Sequence, residues 1–285
     1  MKRLLLGILA VLFSGTAMAQ TTQPALNISA GVDLQSKYIF RGFTTTTQGL
    51  ILQPYAQLAY TVYDKNDLTI APYIGTWNNI TSHPYAIKDG HTNNWRWWSE
   101  TDLDAGVTST YKNFTVGLNY IYYFYPNGSI GEDQELGLTV GYDDSGFWQN
   151  NSNRVLPSIV TALNPHVAYY HEIKNTGGPN GGYLELGAEP TFKSFNVGKF
   201  PVTVSTPVTL GLTTDRYYTT NNGSTDTFGY FEAGIKASVP LNGLPGNCTL
   251  VGEIDYWHLN ADNIRNLDSG KSDDVSARVG LSFKF

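Results

Sequence analysis

Cysteine is nearly absent. Cys248 stands alone among 285 residues, so no intramolecular disulfide can form, and both a disulfide-stapled miniature fold and a Cys-rich zinc site are excluded. Charge is scarce as well, at 15% Asp, Glu, Lys and Arg, and its balance is acidic, with a formal net charge of -6. A nucleic-acid partner, whose phosphates demand a basic stripe, does not fit that balance. Long hydrophobic runs are missing too. The longest, Leu4 to Phe13, falls short of the roughly 18 residues that would read as a membrane-spanning helix.

That one run has another meaning. Lys2 and Arg3 precede it, and small residues ending in Ala17-Met18-Ala19 follow it, which is the order of a secretory signal peptide. The sequence therefore predicts a cleaved leader over 1–19 and a single exported domain over 20–285, with no cysteine after the cleavage site to carry a lipid.

What the chain has in place of long apolar runs is alternation. Val275, Ala277, Val279, Leu281, Phe283 and Phe285 share one face, and Ser276, Arg278, Gly280, Ser282 and Lys284 the other. The same period of two places Phe114, Val116, Leu118, Tyr120, Tyr122 and Phe124 opposite Thr115, Gly117 and Asn119, although Ile121 and Tyr123 blur the polar face. It also places Leu103, Ala105 and Val107 opposite Asp102, Asp104 and Gly106. Segments of about ten alternating residues are the signature of transmembrane β-strands.

Alternation and turn residues predict strands at 25–37, 49–62, 67–78, 97–111, 113–124, 133–142, 162–173, 182–192, 202–214, 227–239, 248–258 and 275–285. Connections 79–96, 215–226 and 259–274 are long and rich in Asn, Gly, Thr and Asp, whereas Tyr63 to Asn66 and Lys112-Asn113 read as tight turns. The stretch 143–161 is long although it falls on the short-turn side. The expected fold is all-β, a closed antiparallel transmembrane barrel of about 12 strands, because a sheet in hydrocarbon has to close to pair its edges.

If apolar parity faces lipid, the opposite parity sends Asp33, Asp102, Asp104, Glu135, Glu172, Glu185, Glu189, Glu232, Glu253 and Asp255 into the lumen, with Arg41, Lys236 and Arg278 among them. These are the candidate pore-lining residues, and their excess of carboxylate favours cations or neutral polar solutes. They could equally form ion-pair networks that brace or plug a narrow barrel. Arg41 enters the lumen beside the first long loop, where an internal Asp or Glu partner is favoured over an anionic solute. Tyr60, Trp77, Trp95, Trp97, Tyr122 and Phe285 sit near strand ends and are the expected aromatic girdle at headgroup level. Trp257 is placed with them.

Catalytic motifs are missing. There is no G-x-S-x-G elbow, and His171-Glu172 lacks the second His of H-E-x-x-H. His83, His91, His166, His171 and His258 are scattered, and Gly177 to Gly182 opens no helix and reads as a hairpin loop. No cofactor or metal is expected. His171 and His258 have outward parity, which leaves a hydrolase of the outer-membrane phospholipase type as a minor alternative.

The stretch Ile28 to Gly42, ending Tyr38-Ile39-Phe40-Arg41-Gly42, resembles the opening of the TorF-type porins, a family of bacterial outer-membrane barrels. Glu100-Thr101-Asp102-Leu103-Asp104-Ala105-Gly106 is similar to another strand of that family. Leu163-Asn164-Pro165 with Tyr169-Tyr170, and Gly182 to Gly187, resemble related barrels. Lys37, Thr44 to Thr47 and 143–161 depart from the pattern, so the likeness bears on architecture and leaves loop chemistry aside.

The sequence thus predicts a Gram-negative outer-membrane porin that passes small hydrophilic solutes, in contact with lipid and lipopolysaccharide. The terminal Phe285 resembles the signal read by the barrel-assembly machinery. The other reading is a non-conducting structural or adhesive barrel whose loops carry the function.

Overall fold

The computed structural model describes residues 26–82, 97–126, 131–150, 157–219, 223–244, 246–267 and 270–285. The expected leader and Trp95, His83 and His91 lie outside them. Twelve strands form one closed antiparallel barrel. In chain order they are β1 (Leu26–Gln35), β2 (Ile51–Tyr60), β3 (Leu68–Thr81), β4 (Trp98–Tyr111), β5 (Phe114–Phe124) and β6 (Asp133–Tyr142). They continue with β7 (His166–Lys174), β8 (Gly182–Ala188), β9 (Val208–Asp215), β10 (Phe228–Pro240), β11 (Thr249–Leu259) and β12 (Asp273–Lys284).

Each strand pairs with its sequence neighbours, and β12 returns to β1 with Asp33 opposite Gly280 and Gln35 opposite Arg278. No sheet edge is left at that seam. Three strands are prolonged past irregular points: β7 by Val160–Ala162, β8 by Thr191–Phe192 beyond Pro190, and β9 by Phe200–Ser205 before Pro207. Proline has no N–H to give the ladder, so the breaks at Pro190 and Pro207 follow from the sequence.

The tight turns behave as their residues require. Lys112 takes φ 52° between the Tyr111–Phe114 pair. The turn expected at Tyr63 to Asn66 lies slightly later, because Tyr63–Lys65 stays extended against Leu68 to Ile70 and Asn66-Asp67 turns at φ 54° and 60°. The long stretch after β6 contains a one-turn helix, α1 (Ser145–Asn150). Asp144 Oδ1 ties it back by accepting from the Leu163 and Asn164 amides at 2.8 and 3.0 Å.

Strand parity sorts the side chains. Outward positions carry Val32, Leu58, Ile74, Leu103, Leu118, Leu138, Ile235, Ile254 and Val279, all exposed, with Ile235 at 65% and Ile254 at 61%. An apolar belt running round a whole barrel is costly in water and accommodated in hydrocarbon. No helix among the described residues is long and apolar enough to cross a membrane, so any crossing is made by strands.

Arginine at the middle of that belt should cost about 2–4 kcal/mol in a bilayer. Ile254→Arg is therefore expected to lower folding stability in phospholipid vesicles by that amount, read from urea titration of the folded fraction. Stability equal to the parent chain would remove lipid from that face.

Candidate functional site: the lumen and the hairpin across it

The connection from β1 to β2 does not stay outside the barrel. Tyr38–Phe40 and Phe43–Thr46 form a small hairpin of their own, with Phe40 opposite Phe43 and a two-residue turn at Arg41-Gly42. Arg41 has φ 49° and Gly42 φ 84°, the left-handed pair that closes a type I′ hairpin. Glycine is required at 42 on a second count, since a Cβ there would come within 2.8 Å of Ile264 Cδ1.

The hairpin is rooted between β1 and β2, and its tip bonds to β6, four strands further round the ring from β2. Arg41 Nη1 and Nη2 donate to the two oxygens of Glu135 at 2.7 and 3.0 Å. Nη1 also donates to the Tyr217 hydroxyl at 3.0 Å, and Tyr123 donates its own hydroxyl to Glu135 at 2.7 Å. The guanidinium carbon lies 4.2 Å from the Tyr170 ring centre, 4.4 Å from Tyr183, 4.7 Å from Phe40 and 5.5 Å from Tyr217. Planar, weakly hydrated guanidinium suits such a cage better than an ammonium would. Arg41 is only 9% exposed.

The rest of the hairpin is fastened in the same way. Lys37 pairs with Asp274 at its root. Tyr38 lies tilted 5.1 Å from Trp77, Phe40 lies edge-on 6.0 Å from Tyr123, and Phe43 stacks 5.9 Å from Tyr218. The Tyr218 hydroxyl donates to the Arg41 carbonyl at 3.2 Å. Burial pushes the hydroxyls of Tyr38, Tyr217 and Tyr218 up from the ordinary phenol range, so they act as neutral partners. Around them Tyr183, Tyr218, Tyr230, Trp257, Leu259, Ala261 and Ile264 form an apolar core inside the barrel at its long-loop end. The short helix α2 (Asp262–Leu267) contributes Ala261's neighbour Ile264 to that core.

The candidates on the wall strands share the inward parity and fall into two groups, while Arg41 reaches inside from the hairpin turn. Asp102, Asp104, Glu135 and Glu172 lie on β4, β6 and β7, toward the hairpin tip. Glu172 is held by Asn175 and by the Gly181 amide at 2.8 and 2.7 Å. On the other side Arg278 bridges Asp33 and Glu253, Lys236 pairs with Glu189, and Glu185 accepts from Tyr183 at 2.7 Å. Glu232 and Asp255 complete that group. With Gln35, Lys37, Tyr38, Gln53, Trp257 and Arg278 they line a cavity of ≈ 260 Å³. Asp102 Oδ1 and Asp255 Oδ1 are buried without a protein donor.

Two girdle assignments are corrected. Trp77 shares its register with Tyr55 and Asp102 and rests against Tyr38, so it lies inside the barrel. Trp257 stands opposite Glu232 and Asp274 and is buried beside Tyr230. Both rings fill the space around the hairpin, which a headgroup position would leave empty. Tyr60, Trp97 and Phe285 are exposed, and Tyr122 has outward parity. The interior tyrosines Tyr123, Tyr170, Tyr183 and Tyr230 were not singled out from sequence, although they share parity with the lumen carboxylates. The outward histidines meet other partners: His258 faces Asp273 at 3.0 Å, and His171 lies beside Tyr169.

Glu135→Gln leaves the guanidinium buried beside a neutral amide, a loss of order 3–5 kcal/mol. The hairpin is then expected to leave the lumen, so that trypsin cuts after Lys37 or Arg41 in the variant and spares the parent. Equal resistance would show that this pair does not hold the hairpin.

Similar solved structures include an outer-membrane channel from Pseudomonas putida F1, at 10% identity and TM-score 0.46 over 95% of this chain and 98% of that one. The NanC porin is similar at 14% identity and TM-score 0.41, over 92% of this chain and 100% of that one. The transport unit of the autotransporter AIDA-I from Escherichia coli stands at 13% and 0.41, over 96% and 94%. No family model matches the sequence, and no curated protein matches it. The TorF-type resemblance therefore rests on its motifs, and function is argued from the residues of this chain.

Proposed function

We propose that the chain is a porin-like channel of the bacterial outer membrane, exported by the 1–19 leader and passing small hydrophilic solutes with a preference for cations. The observation that carries this reading is the partition of side chains about one closed wall: an apolar belt outside, and carboxylates in excess of cations inside. Fixed negative charge in a narrow lumen raises the local concentration of cations and lowers that of anions. Asp102 Oδ1 and Asp255 Oδ1, which accept no hydrogen bond from the protein, are the carboxylate oxygens this reading assigns to that field.

Lipid and lipopolysaccharide would meet the belt, and Phe285, exposed at the end of β12, would be offered to the assembly machinery. The candidate pore-lining residues act in this reading by field and by size. Those already paired, such as Asp33 and Glu253 with Arg278, set the width of the passage.

A second reading has its own observation. The interior core of Tyr183, Tyr218, Leu259 and Ile264 fills the long-loop end completely enough that these side chains are fully buried. In that reading the barrel is a non-conducting scaffold whose loops carry function.

Refolded protein in a planar bilayer under a potassium chloride gradient decides between them. Current steps with a reversal potential on the cation side are expected, and Asp102→Asn with Asp255→Asn should lower the cation-to-anion permeability ratio about twofold or more. An absence of steps would leave the scaffold reading, and an unchanged ratio would remove these two carboxylates from the selectivity.

A further inference from the structure

We propose that the wall of the barrel carries a binding site for guanidinium-bearing solutes, and that Arg41 is its tethered occupant. The site is built by Glu135, Tyr123, Tyr170, Tyr183 and Tyr217, which belong to four different strands and one loop and would line the lumen with or without the hairpin. Each contributes what a guanidinium needs. Glu135 offers both oxygens to a two-pronged donor at 2.7 and 3.0 Å, and Tyr123 orients that carboxylate from behind at 2.7 Å. Tyr217 accepts a third N–H at 3.0 Å, while Tyr170 and Tyr183 present ring faces at 4.2 and 4.4 Å. Of the cage, only Phe40 comes from the hairpin itself.

The wall is shaped for its rings. A Cβ on Gly137 would collide with Asn119 Oδ1 and with the Tyr170 ring, so glycine there, two residues from Glu135 on β6, leaves room for Tyr170. A patch that recognises guanidinium by fork, carboxylate and stacked faces is a general receptor for that group, and here the chain presents its own. The tether raises the effective concentration of Arg41 to the millimolar range or above. A free guanidinium solute thus competes poorly until the hairpin tip is displaced, and its arrival and the opening of the lumen are one exchange.

This assignment rests on the channel reading only for its consequence in transport, so the test measures binding apart from current. Arg41→Asn suits it, because Asn-Gly is a favoured type I′ turn and the hairpin keeps its shape while the guanidinium is lost. Isothermal calorimetry of detergent-folded protein with methylguanidinium chloride is expected to show at least tenfold tighter binding to R41N than to the parent. Methylammonium and sodium should show no such gain, and the gain should vanish in R41N/E135Q. In a bilayer the same compound should block or slow current through R41N.

Arg41→Lys provides the second variant should R41N not fold, since an ammonium leaves the fork unfilled and methylguanidinium should again bind more tightly than to the parent. No gain in either variant, or an equal response to methylammonium, would overturn the proposal. Tight binding to R41N without any current would uphold the site and overturn only the channel.

Discussion

The pairing of β12 with β1 is the constraint on which the rest depends. Once Asp33 stands opposite Gly280 and Gln35 opposite Arg278, the sheet has no free edge at the seam and the ladder there is paired without help from water, which is the condition for residence in hydrocarbon. Closure also removes the choice of face. Each side chain on a strand points either to the surroundings or to the axis, and a one-residue slip would exchange the two sets entirely. Hence the alternation at Val275 to Phe285 is a statement about register as well as about hydrophobicity.

A ring of twelve strands encloses more room than the side chains of its own wall fill. The hairpin between β1 and β2 resolves this by bringing its own hydrogen bonds, as a two-stranded unit, into the lumen. Its rings meet inward tyrosines and tryptophans, and its one buried charge meets Glu135. Buried charge is tolerable only when paired and hydrogen-bonded on most sides, which the fork, the Tyr217 hydroxyl and the ring faces accomplish for Arg41. The carboxylates divide accordingly. Glu135, Asp33, Glu253 and Glu189 are held by cations and brace the structure, whereas Asp102 and Asp255 each keep one buried oxygen that no protein donor reaches.

Much of the wall was legible in the sequence because the two solvents on its faces impose a period of two. All twelve strands and their facing at Asp102, Glu135, Glu253 and Arg278 follow from that period. The inner hairpin was not legible. Ser36 to Leu50 carries no apolar alternation long enough to read, and an Arg at the first position of a type I′ turn gives no turn signal, since that position favours Asn, Asp or Gly. Nearness to a strand end points Trp77 and Trp257 to the headgroups, whereas their parity with Asp102 and Glu232 sets them inside. Tyr123, which blurred the polar face of β5, was the visible sign of an aromatic interior.

The residue at position 41 joins these levels. A side chain with a Cβ at φ 49° costs about 1–2 kcal/mol relative to its ordinary conformation, and Asn or Gly would avoid most of that cost in the same turn. The turn alone therefore does not explain arginine. What does is the geometry at its far end, where the guanidinium satisfies Glu135 and fills the space between Tyr170 and Tyr183. Strain in the backbone and recognition by the side chain are two ends of one contact. A neutral residue at the tip would relax the first only by leaving Glu135 as a buried carboxylate without its cation, near Asp102 on the neighbouring wall.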